Sequence, residues 1–359
     1  MKIRSVIVLG LGKVGSLVAT LLDKTGFEVT GADIYAKEEL SFPVITTDMA
    51  NIESVTDILK NFDAVISCLP YSYNIAIATA AHKLGIHYFD LTEDVATTKA
   101  TIEMSRTAKA VMAPQCGLAP GFIAIVGSSL AAKFTKIRSI KLRVGALPQN
   151  PTGLLGYAFN WSPEGVVNEY LNDCEVIENG QHKWVSPMEW IEQLFIHGIH
   201  LEAFTTSGGL GTMCETYLGK VDNLDYKSIR YPGHVRQMNF FFHELLMRED
   251  RKRAGEILTN AKPSVNEDVV YVHASAEGWQ GTQLFRDEFV NAYYPINMDG
   301  KHWRAISWTT AASACAVIEM VSSGSIADKG FIKQEDISLS RFLETRNGRL
   351  YNGEKHGGD

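Results

Sequence analysis

Two groups of residues in this 359-residue chain have types and spacings suited to chemistry. The first is Gly10-x-Gly12-x-x-Gly15 in "VLGLGKVG", with Asp33 eighteen residues beyond Gly15. Between an apolar strand and a helix, such glycines allow a tight turn, a close backbone approach to a pyrophosphate, and close packing of helix on strand. The helix start, with Lys13, Val14 and Gly15, adds free N–H groups and the positive dipole end. A carboxylate at Asp33 would accept from adenosine ribose hydroxyls and repel a 2′-phosphate. No Arg or Lys directly follows Asp33, and Lys37 is the nearest cation. NAD is therefore expected in preference to NADP, which stays possible. The competing reading, a packing turn with Asp33 capping a strand, needs none of this strand–helix–strand context.

The second group is "LDYKSIRYPGH", residues 224–234, which gathers two tyrosines, a lysine, an arginine and a histidine around a Pro-Gly turn. A guanidinium holds a carboxylate bidentately, and Arg230 is the first candidate for that task, with Arg143 in "KLRVGALP" second. By residue type alone, an ion pair within the protein suits Arg230 equally well. His234, Glu215 in "GTMCETYLG" and Glu164 in "SPEGVVNEY" are candidates for proton transfer. Either glutamate could instead begin a helix and be stabilised by its dipole, and Glu164 after Ser162-Pro163 fits that role well. Tyr231, Tyr217 and Asn168 complete the substrate-binding candidates, and Lys227 is a weaker candidate for proton transfer.

These residues need elements to position them. The first 118 residues alternate apolar strands ("SVIVLG", "FEVTGADI", "PVITTD", "DAVISCLP", "HYFDLT", "AVMAPQCG") with helical patterns, as in "VGSLVATLLDKTG" and "YNIAIATAAHKLG". That alternation predicts an α/β unit, a Rossmann-type doubly wound parallel sheet. Ligands of such sheets lie beyond the carboxyl ends of the strands. Those ends carry Cys68, Leu69 and Pro70, then Asp90, then Gly117 and Pro120. Asp90 suits either a ligand or the cap of the next helix. From about Ser139 to Val272, β-branched strands broken by Gly/Pro turns predict a second, α+β domain, with one long helix in "VRQMNFFFHELLMREDRKRAGEIL". The Ala- and Ser-rich "WRAISWTTAASACAVIEMVSSG" is expected to return to the first domain. The expected division is a dinucleotide domain over 1–118, continued at about 305–350, and a substrate and dimerisation domain over 119–304.

The bulk properties bound the function. A net charge of −7, with the densest basic stretch "REDRKRAG" interrupted by acids, argues against nucleic acid as a partner. No apolar segment reads as long enough to cross a membrane, and the N-terminus lacks signal-peptide features, so a cytoplasmic protein is expected. Five scattered cysteines without CxxC or zinc spacing predict core thiols in a reducing compartment and no metal site.

The glycine loop together with "PQCGLAPGF", "FNWSPEGVVNEY" and "YKSIRYPGH" resembles the saccharopine dehydrogenase-like family, over about residues 3–350. In appearance the chain is most similar to the shorter lysine 6-dehydrogenase branch. In the longer saccharopine-cleaving members an Arg follows the Trp-Ser-Pro element, where this chain has Glu164. The resemblance implies a split NAD(P)-binding domain, an α+β substrate domain, a homodimer, and oxidative cleavage of a C–N bond in a lysine-derived amino acid. Alternatives within it are glutamate-forming saccharopine oxidation and a reductive, carboxynorspermidine-forming reaction. An NAD-binding sensor without turnover is the non-enzymatic alternative.

Overall fold

The structure is a computed structural model that describes residues 2–35 and 40–353. Lys37 and most of the Gly-rich tail lie outside the described residues. The chain divides into two compact units, 1–125 with 307–359, and 126–306.

The first unit opens with β1 (Ser5–Leu9), α1 (Gly15–Thr25), β2 (Glu28–Asp33), β3 (Val44–Thr46), α2 (Ile52–Leu59), β4 (Ala64–Ser67), α3 (Asn74–Leu84), β5 (His87–Asp90), α4 (Val95–Ser105) and β6 (Val111–Ala113). β4, β5 and β6 are buried throughout, which is why they read as short apolar runs: a parallel sheet covered on both faces exposes no alternate residues. The helices end where the sequence says they must. Asn51 caps α2 by accepting from Ser54 N, and Asp94 caps α4 by accepting from Thr97 N. Gly26 and Gly85 close α1 and α3 in the left-handed conformation.

α5 (Phe122–Ala131) leads into β7 (Lys136–Pro148), α6 (Pro163–Leu171), β8 (Cys174–Glu178), β9 (Gln181–Val185), β10 (Glu192–Ile196), β11 (Ile199–Thr205), α7 (Met213–Tyr217) and β12 (Val221–Arg230). α8 (His234–Asn239), α9 (Arg251–Ala261), β13 (Asp268–Gln280), β14 (Gln283–Tyr293), β15 (Ile296–Met298) and β16 (Lys301–Trp303) follow. The main sheet of this unit runs β10-β11-β12-β7-β13-β14, with the β8–β9 hairpin paired to β12. It is mixed, because β12 lies parallel to β7 while its other pairings are antiparallel.

The single helix expected over 235–258 is broken. After α8 the chain forms a π-helical turn over Phe240–Glu244, Leu246 turns left-handed at φ 57°, and α9 starts afresh with Asp250 accepting from Arg253 N. An aspartate at that point offers the backbone a new cap, which competes with helix continuation.

α10 (Ala305–Ser322), β17 (Gly330–Phe331) and α11 (Leu339–Glu344) complete the chain. β17 pairs parallel with β6, giving a seven-stranded order β17-β6-β5-β4-β1-β2-β3, parallel at every pairing. Cys315 and Ser322 of α10 reach Val18 O and Ile3 O. The expectation that no segment has transmembrane length is corrected here. α10 is long and apolar enough to cross a membrane, yet 78% of it is buried inside the protein, as a core helix would be.

Candidate active site

In the first unit the glycine loop lies between β1 and α1. Gly10 turns at φ 86°, and a Cβ there would come within 2.9 Å of Leu69 and 3.0 Å of Cys68 O. A Cβ on Gly15 would stand 1.8 Å from Gly10 O, so loop and helix touch backbone to backbone. Around Gly12 the opposite holds. A Cβ there would meet nothing within 4 Å, and Gly12 and Lys13 are exposed. The start of α1 has no side-chain cap and no acid in its first turn. Asp33, at the end of β2, accepts from Leu11 N at 2.8 Å and from Tyr35 N at 3.1 Å. An open glycine, uncapped helix N–H groups and a carboxylate tied to the same loop fit a dinucleotide, whose diphosphate Gly12, Lys13 and Val14 would hold and whose ribose Asp33 would meet.

The other strand ends are more closed. Cys68 is half-buried, and burial followed by the nearby Asp90 carboxylate pushes its thiol up to about 12. Leu69 is half-buried and Pro70 exposed. Asp90 is fully buried, accepting from Tyr88 Oη at 2.6 Å, Thr92 N at 2.9 Å and Gln115 N at 3.0 Å. These partners lie in the turn after β5 and in the segment after β6, and the alternative role of helix cap is corrected, since Asp94 caps α4. Gly117 bridges Gly121 beside the buried Pro120, and Phe122 N donates to Gly117 O, so this segment launches α5.

In the second unit, two sequence candidates come together around residues that the sequence did not single out. Arg230, 3% exposed at the end of β12, donates through Nε to Tyr170 Oη at 2.7 Å and through NH1 to Ile229 O at 2.8 Å. Its guanidinium carbon lies 4.8 Å from the Tyr157 ring centre and 5.6 Å from that of Tyr170. NH2 faces Glu169 Oε2 at 3.8 Å, an ion pair beyond hydrogen-bond reach. Burial opposes the charge on Arg230, but Tyr170, Tyr157 and Glu169 outweigh it and hold its pKa above the ordinary value. His234 Nε2 meets Tyr170 Oη at 2.9 Å, and Nδ1 meets Leu155 O at 2.8 Å. Burial first, and Arg230 second, push the imidazole down to about 3. Tyr231, on the next turn, donates to Pro148 O.

The remaining candidates sit on α6, α7 and the main sheet. Glu164 is an exposed residue in the first turn of α6, where Ser162 caps by accepting from Gly165 N and Pro163 occupies the first position. Glu215 is exposed in the first turn of α7, and Tyr217 donates to Ser128 Oγ. Asn168 accepts from Arg251, as does Asn172, tying α6 to α9. Arg143, the second candidate for a substrate carboxylate, has partners within the protein. Arg143 is 1% exposed, and Glu192, Asp225 and two backbone carbonyls, those of Leu142 and Asp225, face its N–H groups. Lys227 joins the same knot through Glu192 and Trp190 O. Along β7 and β12, Arg143 and Lys227 are direct register partners, whereas Arg230 is an odd number of residues from Lys227 and points to the other face.

Glu169 and Tyr170 were missed although they follow Asn168 directly. One signal was available. Gly165, Val166, Val167, Glu169 and Tyr170 are the buried set of α6, and a helix whose apolar face includes an acid marks a buried charge in need of a cation.

Residues 6–115 match the saccharopine dehydrogenase NADP binding domain, and residues 117–349 match the saccharopine dehydrogenase C-terminal domain. Among curated proteins, the saccharopine dehydrogenase (NADP(+), L-glutamate-forming) of Pyricularia oryzae is 24% identical over 257 residues, covering 65% of this chain and 56% of that one. The protein of the same name in Schizosaccharomyces pombe is 27% identical over 144 residues, covering 38% of this chain and 32% of that one. The chain thus spans no more than 56% of the length of these relatives. Among solved structures, apo saccharopine dehydrogenase (L-Glu forming) from Saccharomyces cerevisiae superposes with a TM-score of 0.74 at 15% identity, over 95% of this chain and 97% of that one. C. glutamicum DAP dehydrogenase in complex with DAP gives 0.50 at 12% identity, over 98% and 99% of the two chains. At these identities the structural likeness is one of fold. With the two domain models matched in succession over residues 6–115 and 117–349, the chain belongs to the saccharopine dehydrogenase family.

Proposed function

We infer that the chain is a nicotinamide-dependent oxidoreductase that cleaves a C–N bond at the terminal carbon of a lysine-derived amino acid. A bound nicotinamide dinucleotide supplies the hydride acceptor. The protein's task is to hold the substrate so that the carbon bearing nitrogen can lose that hydride. The nitrogen must be unprotonated at that moment, because an ammonium has no lone pair to push. Water then adds to the substrate imine and releases an aldehyde and a free amine.

The observation that carries the substrate class is Arg230, a buried guanidinium over the rings of Tyr157 and Tyr170. A guanidinium in that setting suits a carboxylate, so an amino-acid substrate follows. Saccharopine is the first probe, since the curated relatives carry that name. Lysine is the second, favoured by Glu164 where the longer family members have Arg. Both would be oxidised at the same carbon, and they differ in the amine released, glutamate from saccharopine and ammonia from lysine. Initial rates at 340 nm with each substrate, followed by assay of glutamate and ammonia, separate the two. A flat trace with both substrates and both cofactors would sink the reading.

For the cofactor, Asp33 favours NAD, because its carboxylate is anchored at Leu11 N and would face a 2′-phosphate with like charge. The relatives' names and the matched domain point to NADP instead, so the ratio of kcat/KM for NAD and NADP is the deciding measurement. The five cysteines are free thiols, which suits a cytoplasmic setting. A homodimer is part of the proposal on the family resemblance, and sedimentation velocity tests it.

A further inference from the structure

His234 resembles a general base in the sequence, yet its neighbours fix a different task. An arginine Nε can only donate, so Tyr170 Oη accepts from Arg230. The Tyr170 hydroxyl hydrogen is then directed to His234 Nε2, which must accept. The carbonyl of Leu155 can only accept, so His234 Nδ1 carries the proton and donates. One orientation satisfies the whole series: Arg230 Nε–H to Tyr170 O–H to His234 Nε2, with His234 Nδ1–H to Leu155 O. Tyr170 is wholly buried and His234 1% exposed. Phe204, Tyr157 and Tyr170 ring the imidazole at centroid distances of 6.2, 5.3 and 5.8 Å. Neither ring nitrogen is left to take a proton from a substrate. Protonation would turn Nε2 into a second donor toward Tyr170 Oη, beside a guanidinium already donating there.

We propose that Tyr170 and His234 are positioning residues, in which the Nδ1–H tautomer of His234 orients the Tyr170 hydroxyl and so fixes the guanidinium of Arg230 for a substrate carboxylate. The proposal rests on the reading of Arg230 given above. It assigns His234 no proton transfer with substrate. Arg230 is held at Nε and on one side at NH1, while NH2 is kept in place by the looser Glu169 contact. Loss of the Tyr170 hydroxyl would free the fork to rotate about its stem, which weakens a bidentate contact more than it alters the hydride step.

The test uses the full chain with isosteric substitutions. Glutamine places an oxygen near the position of Nε2, so His234→Gln keeps an acceptor for Tyr170. Asparagine can mimic only Nδ1, so His234→Asn keeps the Leu155 contact and loses the relay. With saccharopine and L-lysine as probes, Tyr170→Phe and His234→Asn should raise the amino-acid KM by roughly tenfold to a hundredfold, the worth of a hydrogen bond to a charged group. Their kcat should stay within about threefold, and His234→Gln should remain near wild type, since only substrate positioning is disturbed. In ¹⁵N-histidine-labelled protein, His234 should display a protonated Nδ1 and no titration between about pH 5 and 8. A His234 that titrates near its ordinary value, a His234→Gln enzyme with its amino-acid KM raised as far as that of His234→Asn, or a large loss of kcat in both, would overturn the proposal. The tautomer measurement needs no substrate, so it decides the relay even if neither probe is turned over. Failure of the parent reading shows separately, as an Arg230→Lys enzyme with unchanged amino-acid KM and an intact His234 signature. Thermal unfolding of each variant identifies any that has lost its fold.

Discussion

The Glu202 carboxylate on β11 lies against the first turn of α8, accepting the backbone N–H of Val235 at 2.8 Å. Its other oxygen accepts from Gly233 N at 2.9 Å. A short helix of six residues, His234–Asn239, thereby gains a buried cap from another element, and the Arg230–Tyr231–Pro232–Gly233 turn is tied to β11 through Gly233 N. Because Glu202 is 4% exposed, removing it leaves the buried Val235 N–H and the half-buried Gly233 N–H without their acceptor. Glu202→Ala should cost about 1–3 kcal/mol of stability, the penalty of unpaired buried donors, while Glu202→Gln should retain part of the cap. Urea denaturation of the two variants checks this, and an Ala variant as stable as wild type would contradict it.

Asp33 allows charge and hydrogen bonding to be separated. Asp33→Asn preserves an acceptor for Leu11 N, now met at 2.8 Å, and removes the charge that would repel a 2′-phosphate. The ratio of kcat/KM for NAD over NADP should fall by roughly tenfold, equivalent to about 1.4 kcal/mol of discrimination. Fluorescence titration with both reduced cofactors gives the binding part of that change. An unaltered ratio would remove Asp33 from the ribose site.

The parts of the fold that were legible in sequence are those in which the backbone itself is the constraint. Gly15 has no room for a Cβ against Gly10 O, and Gly12 stands over open space, so the loop left its mark as a spacing of glycines. Buried parallel strands left apolar runs for the same local reason. The helix break at Leu246 was hidden inside an apparently continuous helical pattern, because its cause is the Asp250 cap. The site was legible only in its turn. Arg230 and His234 are four residues apart, but their roles are set by Tyr170, sixty residues from Arg230, and Leu155, seventy-nine from His234. By residue type, Arg143 was second to Arg230 as a carboxylate candidate. What separates them is that two carboxylates, Glu192 and Asp225, lie within hydrogen-bond reach of Arg143, whereas the carboxylate facing Arg230, Glu169, stands off at 3.8 Å, a fact of tertiary contact that no residue type carries.

Arg143 therefore supports a prediction opposite in kind to that for Arg230. Arg143→Met would leave Glu192 and Asp225 without their principal counter-charge. Breaking one side of a buried ionic network costs about 3–5 kcal/mol, so Tm should fall clearly while the amino-acid KM of the folded fraction stays within about twofold. Glu192 reports the same loss. Burial pushes its carboxyl up, yet Arg143 and Lys227 pull it down to about 2. A group with a depressed folded pKa contributes stability that is present above its ordinary value and lost as pH falls through the folded one. Wild type should thus lose this contribution between its ordinary 4.5 and about 2, and Glu192→Gln should lack that segment of the acid profile.

Asp90 has the reverse sign. Burial raises its carboxyl from the ordinary 3.8 to about 6, although Tyr88 Oη and the N–H groups of Thr92 and Gln115 favour the ion. In that interval the folded chain binds more protons at this site than the unfolded chain does, so stability falls as pH rises through it. The contribution is whole below about 4 and gone once the pH has passed about 6. Asp90→Asn keeps one oxygen for Thr92 N and Gln115 N and cannot ionise. The stability of Asp90→Asn relative to wild type should therefore increase as pH is raised from about 4 to 6 and stay level above that. Taking the difference between the two proteins cancels the titration of Glu192, His234 and the other carboxyls. Chemical denaturation at half-unit steps of pH measures it, and a difference that stays flat across the interval would mean that Asp90 is ionised in the folded chain throughout.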